Sequence, residues 1–212
     1  MKKRFTKKTY LRIISEVLFL GVFSILLYIN NLQKWLPIFA AGAILSLFFS
    51  RFYCGWMCQM KTLFRPINWI YGILGIKRLK TPGVFKYKVV RYIVLGLMLA
   101  SMVLTMKFKI KVNLLLYVTI ASVVVTLIFE ESFWHSHVCP YGTILSLSSK
   151  PAKLSVKIDE NQCTACGLCQ KVCPAEAIVT LDTKKRKITT NSCLTCFKCQ
   201  EVCPSKAISY RV

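Results

Sequence analysis

The sequence is poor in acidic residues and in histidine. Asp and Glu number 8 against 30 Lys and Arg, and there are only two histidines, His135 and His137. Two histidines separated by one residue cannot clamp a haem between two helices, and no C-x-x-C-H segment is present, which argues against haem. G-x-G-x-x-G, a P-loop and an obvious nucleophile with its base are also missing, which argues against nucleotide-dependent and hydrolytic enzymes.

Apolar residues, by contrast, are abundant. They make up 55% of the 212 residues, and the mean hydropathy is +0.50, more than an ordinary soluble domain carries. This composition excludes a disordered chain and argues against an ordinary soluble enzyme. The net charge of +22 would favour nucleic acid as a partner if the basic residues lay on a soluble face, so their positions matter.

Four apolar runs predict an α-helical membrane domain with four transmembrane helices. They cover residues 13–29, 35–50, 92–106 and 112–129. A helix needs about 20 mostly apolar residues to cross a bilayer, so each run suffices if flanking Lys, Arg and Trp side chains reach the headgroups. The alternative is a soluble helical bundle, but runs joined by basic loops leave such a bundle no polar face. Glu16, the one charge within the first run, is interpreted as an interfacial carboxylate.

The basic residues lie almost entirely on one side of these runs. Of the 30, 26 precede the first run, separate the second from the third, or follow the fourth. The positive-inside rule then predicts a multi-pass protein of the cell inner (cytoplasmic) membrane, with both termini and the C-terminal domain in the cytoplasm. Most of the basic residues are therefore interpreted as residues that orient the helices in the membrane and contact anionic membrane lipid. Nucleic acid is not expected as a partner.

Eight of the 11 cysteines form a repeated motif. C-x2-C-x2-C-x3-C-P occurs twice, thirty residues apart, and segments 163–180 and 193–210 are identical at nine of 18 positions. Three cysteines at this spacing wrap around an iron–sulfur cubane, and in two-cluster modules the cysteine before proline binds the other cluster. We therefore predict two [4Fe-4S] clusters, the first held by Cys163, Cys166, Cys169 and Cys203 and the second by Cys193, Cys196, Cys199 and Cys173. Structural zinc and disulfides are the less favoured alternatives.

A small α+β ferredoxin-like domain is predicted over residues 150–212, after a membrane domain of 1–149. Alternating apolar residues predict strands at 154–158 and near 208–210 that pair with each other, and a hairpin between 178–181 and 187–190. The basic run from Lys184 to Lys187 is interpreted as a solvated turn in preference to a docking patch for an acidic partner.

Two regions resemble known families. Residues 154–212 resemble the bacterial-type two-[4Fe-4S] ferredoxin domain. R-F-Y-C-G-W-M-C at 51–58 and C-P-Y-G at 139–142 resemble the paired C-x3-C-P elements of the membrane-bound polyferredoxin family, of the quinol-dehydrogenase type. Members of that family accompany periplasmic nitrate and nitrous oxide reductases or assist cytochrome oxidase assembly. Gln59 replaces the proline of the first element, and His135 replaces the first cysteine of the second.

This resemblance implies a membrane-anchored electron-transfer protein. It would relay electrons between a membrane redox pool, commonly quinol, and a redox partner protein, as a component of a quinol dehydrogenase more than as a stand-alone enzyme. Two alternatives stay open: an accessory factor for metalloenzyme assembly and a cluster-based redox sensor. Carrier and assembly factor share these residues, so only the partner separates them.

Four further residues form a predicted third site. Cys54 and Cys58 would share one face of a helix that continues the second span, and His135 and Cys139 have the same spacing after the fourth. With both termini inside, all four residues emerge at one membrane surface, as a Cys3His set for a metal or cluster, and Pro140 would begin a helix over 141–147. His137 is a substitute ligand. The alternative is that these cysteines are packing residues at the membrane edge.

Overall fold

The computed structural model describes residues 7–86, 88–108 and 113–212 of the chain. The N-terminal part is helical, and among the described residues the strands that pair into sheets all lie in the C-terminal part. The long apolar helices are α1 Lys7–Tyr28, α2 Trp35–Phe49, α5 Lys88–Lys107 and α6 Leu114–Ile128. A short 3-10 turn, Leu32–Lys34, leads into α2.

Three segments of the described chain are long and apolar enough to cross a membrane. They are Lys7–Tyr28, Leu32–Phe49 and Val89–Lys107. Helix α6 has 15 residues, fewer than the predicted run of 112–129, because Asn113 precedes the helix and Phe129 is already extended. The prediction of four spans is therefore supported for three. No residue of the 89–107 window is buried, and one face of the helix, which includes Val94 and Met98, is half-buried while the rest is exposed.

Further helices connect the long apolar ones on the side that carries the cysteines. They are α3 Phe52–Trp56, α4 Gln59–Leu74, α7 Glu131–Phe133 and α8 Pro140–Ser148, and a π-helical turn covers Trp134–Val138. Pro140 begins α8, as predicted. The expected continuation of the second helix through Cys54 and Cys58 is wrong: Ser50 has φ +59°, which ends α2, and Cys58 is extended before α4.

The C-terminal part contains two antiparallel strand pairs and two short helices. Strand β1 Ser155–Ile158 pairs with β4 Ile208–Arg211, and β2 Ile178–Thr180 pairs with β3 Arg186–Ile188. Both pairings confirm the sequence prediction. The helices are α9 Leu168–Lys171 and α10 Lys198–Val202, which begin within the first and the second cysteine motif respectively.

The two parts pack closely together. Ala175, Leu194 and Cys196 of the C-terminal part share a buried cluster with Tyr53 and Cys54. The side-chain hydroxyl of Ser50 donates to the Thr190 carbonyl at 2.7 Å, and Trp56 Nε1 donates to the Thr195 carbonyl at 3.2 Å. The second cysteine loop is thereby held against the turn that follows α2.

Candidate iron–sulfur centres

The structure brings each predicted set of four ferredoxin cysteines together. One cavity is lined by Cys163, Cys166, Cys169 and Cys203, and a second by Cys173, Cys193, Cys196 and Cys199. Each cavity thus takes three cysteines from one motif and the cysteine before proline from the other. We call the two cavities the first and the second centre.

The backbone of the two loops repeats along with the sequence. Ala165 and Gly167 of the first loop have φ of +56° and +74°, and Thr195 and Phe197, thirty residues later, have +51° and +58°. Left-handed backbone at a non-glycine residue costs roughly 1–2 kcal/mol. Two motifs that share this unfavourable geometry fit a cubane, since bonds from the cysteines to such a cluster would hold each loop in this shape.

Backbone amides point at the cysteine sulfurs. Ala177 N–H donates to Cys173 Sγ at 3.3 Å, and Thr195 N–H donates to Cys193 Sγ at 3.4 Å. Burial raises the pKa of Cys193 to about 12 and also raises that of Cys199. Thiols so buried ionise only with a compensating charge, which iron supplies. The donor set and the hydrogen bonds therefore fit [4Fe-4S] clusters.

The two centres differ in exposure. Cys166 is exposed and Cys163 partly exposed in the first loop, whereas Cys193, Cys196 and Cys199 are all buried in the second. Arg186 lines the first centre, and Ser50, in the turn after α2, donates to the carbonyl of Cys193 in the second loop.

Three of the four residues of the predicted third site also lie together. Cys54, Cys58 and Cys139 are buried in one cluster, and the electrostatic interaction among them contributes to raised thiol pKa values. Burial is the largest cause, and the pKa rises to about 12 for Cys58 and about 11 for Cys139. We call this group the three-thiol set. Gly142 N–H donates to Cys139 Sγ at 3.3 Å, as at the ferredoxin cysteines.

His135 has a different partner. Its Nε2 lies 3.4 Å from Glu131 Oε1, its ring packs against Phe64, and burial lowers its pKa. His137 lies 3.9 Å from Glu176. Within the described residues, no group of three or more His, Cys, Asp or Glu side chains is arranged to hold a single metal ion. The eight ferredoxin cysteines are also not arranged to hold a single metal ion. The three-thiol set therefore resembles the proposed cluster ligands in this respect.

The sequence prediction did not include the charged side chains that are buried near the cysteines. Arg51 is 1% exposed and lies beside Cys54, and Lys61 is 2% exposed with Cys196 nearby. Glu16, predicted to be an interfacial carboxylate, is 1% exposed and pairs with the cations of Arg12, Lys61 and Arg65. The one available signal was the position of Arg51 and Lys61 on either side of the Cys54 and Cys58 element.

Comparisons with known proteins agree with this chemistry. Residues 155–204 match the family described as 4Fe-4S dicluster domain, and residues 33–78 and 114–158 match the family described as 4Fe-4S binding domain. The second match spans all three residues of the three-thiol set.

Two curated proteins are similar to the chain. An uncharacterized protein of Methanocaldococcus jannaschii is 30% identical over an alignment of 158 positions, which covers 65% of this chain and 56% of the relative. The ferredoxin-type protein NapH of Haemophilus influenzae is 23% identical over an alignment of 154 positions, which covers 65% of this chain and 54% of the relative. The chain thus matches about half the length of each. No solved structure matches. Together these similarities support an iron–sulfur protein of the ferredoxin type.

Proposed function

We propose that the protein is a membrane-anchored iron–sulfur protein that relays electrons between a membrane donor and a protein acceptor. The observation that carries this proposal is the arrangement of two four-cysteine cavities, one packed on the apolar helical part and one whose loop carries the exposed Cys166. An electron carrier needs one end near its donor and another accessible to its acceptor. Similarity to a ferredoxin-type protein supports the same chemistry.

The ligand assignment follows the two cavities. Each would hold one [4Fe-4S] cluster, which supplies one-electron transfer when bound. The crossed set places Cys203 in the first centre and Cys173 in the second. Because each motif completes the other's centre, the two lobes hold each other in place.

The three-thiol set is proposed as a third centre. Cys54, Cys58 and Cys139 would hold a further cluster through three thiolates, with the fourth position not taken by His135, which faces Glu131. Its place in the cluster of buried residues that also contains Cys196 puts it next to the second centre. The match to a 4Fe-4S binding domain over these residues supports the assignment.

The membrane arrangement extends the same proposal. Residues 1–149 form the membrane domain, with α6 as a fourth, short span, and residues 150–212 form the ferredoxin domain. The bias of basic residues puts both termini and the ferredoxin domain in the cytoplasm. The proposed donor is a quinol, whose oxidation to quinone releases two electrons and two protons.

The acceptor is proposed to be a protein that docks at the first centre. Arg186 lines that cavity, and Lys184, Lys185 and Lys187 flank it on the same hairpin. The basic run would thus lie beside the centre that contains the exposed Cys166, where a protein with an acidic face gains both attraction and a short distance to the cluster.

The test is anaerobic purification of the full chain in detergent. Iron and acid-labile sulfide are measured, and EPR spectra are recorded after reduction by a soluble quinol analogue and, separately, by dithionite. We expect at least about eight iron and eight sulfide per chain, from two [4Fe-4S] clusters, and EPR signals after quinol addition. Zinc in place of iron contradicts the iron–sulfur assignment. Signals that appear with dithionite but never with quinol contradict the proposed donor alone.

A further inference from the structure

Arg51 is a buried cation without a carboxylate partner among the described residues. It is 1% exposed, its Nε has no hydrogen-bond partner, and it takes part in none of the ion pairs observed in the described part of the chain. Lys61 and Arg12, by contrast, share the carboxylate of Glu16. Arginine remains charged in proteins, and an uncompensated buried charge is costly, so Arg51 requires an anion nearby.

The guanidinium lies between two groups of cysteines. Its Nη2 is 3.8 Å from Cys54 Sγ, and its Nη1 donates to the carbonyl of Ser192 at 3.4 Å, next to Cys193. Its charge favours the thiolate form of both Cys139 and Cys193, against the larger effect of burial. One side chain therefore faces the three-thiol set and the second centre at once.

The surrounding residues fix this position. Ser50 has a positive φ, ends α2 and turns the chain so that Arg51 points inward. The Ser50 hydroxyl also donates a hydrogen bond to the Thr190 carbonyl. Gly142 leaves the space that the guanidinium needs, because a Cβ at this position would collide with Arg51 Nη2. The local sequence is thus fitted to one placement of the charge.

We propose that Arg51 is a counter-ion shared by the three-thiol set and the second centre, and that its fixed charge raises the reduction potential of both. This inference rests on the proposed function, since both groups must hold clusters. Thiolate-ligated clusters are anionic and gain one more negative charge on reduction, so a nearby cation stabilises the reduced form more than the oxidised form. Arg51 itself exchanges neither a proton nor an electron.

The test is a potentiometric titration of the full-length protein in detergent, followed by EPR. Three proteins are compared: the unaltered chain, Arg51→Gln, which removes the charge, and Arg51→Lys, which keeps it. We expect Arg51→Gln to shift the midpoint potentials of the second centre and of the three-thiol centre downward, while Arg51→Lys stays closer to the unaltered chain. Arg186→Gln is the matched control, because Arg186 lines the first centre and should shift that centre alone.

A second variant keeps the test valid if Arg51→Gln fails to fold. Gly142→Ala displaces the guanidinium without removing its charge, and both potentials should again fall, by less. Unchanged potentials in Arg51→Gln overturn the proposal, and so does a shift confined to one of the two centres. Absence of iron–sulfur signals in the unaltered chain is a different result, since it contradicts the proposed function itself.

Discussion

The two cysteine loops share their spacing and backbone but have opposite surroundings. In the loop of residues 163–169, Thr164 and Cys166 are exposed, whereas their counterparts Leu194 and Cys196 are buried against the helical part. The duplicated positions hold ligands, and the positions that differ decide where each loop lies. Ligation and docking are therefore encoded by separate residues of the same motif.

Phe197 shows this division most clearly. It occupies the position of Gly167, and its ring makes edge contacts with Trp56 at 6.4 Å and Tyr210 at 5.8 Å, with the Lys8 ammonium 5.2 Å above it. Gly167 has no side chain for such contacts. The aromatic residue accepts a left-handed φ of +58° because the packing compensates for its cost.

The largest effect is expected from removing the cysteines that cross between the loops. Cys173→Ser should abolish the second centre, and Cys203→Ser the first, because each lies in the cavity of the other motif. Each variant should lose about half of the ferredoxin-domain iron, four of about eight atoms. The measurement is iron content together with EPR of the reduced full-length protein.

Reference spectra make this prediction specific. Cys163→Ser removes a ligand of the first loop, and Cys193→Ser one of the second. The spectrum of Cys173→Ser should match that of Cys193→Ser. If it matches Cys163→Ser instead, each motif ligates its own cluster and the crossed assignment is wrong.

A smaller effect is expected at the contact that buries the second loop. A Cβ at Gly55 would meet the carbonyl oxygen of Leu194, so Gly55→Ala should push the loop away from the helical part. Overpacking of this kind costs about 1–3 kcal/mol. The second centre should then lose iron to a chelator faster, approaching the rate of the first centre.

Gly72→Ala provides the matched control. Gly72 lies in α4 with open space around its Cβ position, so alanine should leave the loss of iron unchanged. Equal rates for Gly55→Ala and the unaltered protein would show that the Gly55 contact does not protect the second centre.

The sequence was sufficient for features that depend on local spacing. The cysteine motifs predicted both cavities, and alternation of apolar residues predicted the pairing of β1 with β4 and of β2 with β3. The long helices follow from uninterrupted apolar runs. Such features need only residues that are close in the chain or repeated along it.

Features that depend on packing between distant segments could not be read from the sequence. Cys54, Cys58 and Cys139 meet because Ser50 ends α2, not because one helix face carries the first two. The pairing of Glu16 with Lys61 and Arg65 likewise requires neighbours far along the chain, whereas Glu131 lies only four residues before His135. Spacing identified the three cysteines that the structure brings together, but not the contacts that arrange them.

The hydrogen bond from Trp56 should contribute less than the Gly55 contact. Trp56→Phe keeps an aromatic ring beside Phe197 but leaves the Thr195 carbonyl without its indole donor. A net loss of about 1 kcal/mol is expected. Hydrogen exchange of the amides in the 193–199 loop should accelerate accordingly, whereas that of the 163–169 loop should not. Equal acceleration in both loops would mean that Trp56 stabilises the domain as a whole rather than its docking.

The smallest effect is expected from the ion pair of Glu131 with Lys198, which joins the helical part to α10. Their charged atoms are 3.8 Å apart, and the Lys198 side chain is 34% exposed, so solvent screening limits the contribution to below about 1 kcal/mol. Although burial opposes ionisation, Lys198 and His135 hold the pKa of Glu131 down to about 2. A depressed carboxyl pKa stabilises the folded state above the unfolded value of about 4.3, and this contribution is lost as the pH falls toward about 2.

The Glu131 and Lys198 pair should therefore cause no change in hydrogen exchange of the 193–199 amides, corrected for its intrinsic pH dependence, from about pH 8 to about pH 5, above the unfolded carboxyl value. Burial lowers the pKa of His135, so no histidine step is expected near about pH 6.5, the ordinary histidine value. Glu131→Gln should raise the exchange rate slightly at neutral pH, and Lys198→Met should do the same by a similar amount. A step near about pH 6.5, the ordinary histidine value, that disappears in His135→Gln would show that His135 protonation, and not the Glu131 and Lys198 pair, controls the docking of the second loop.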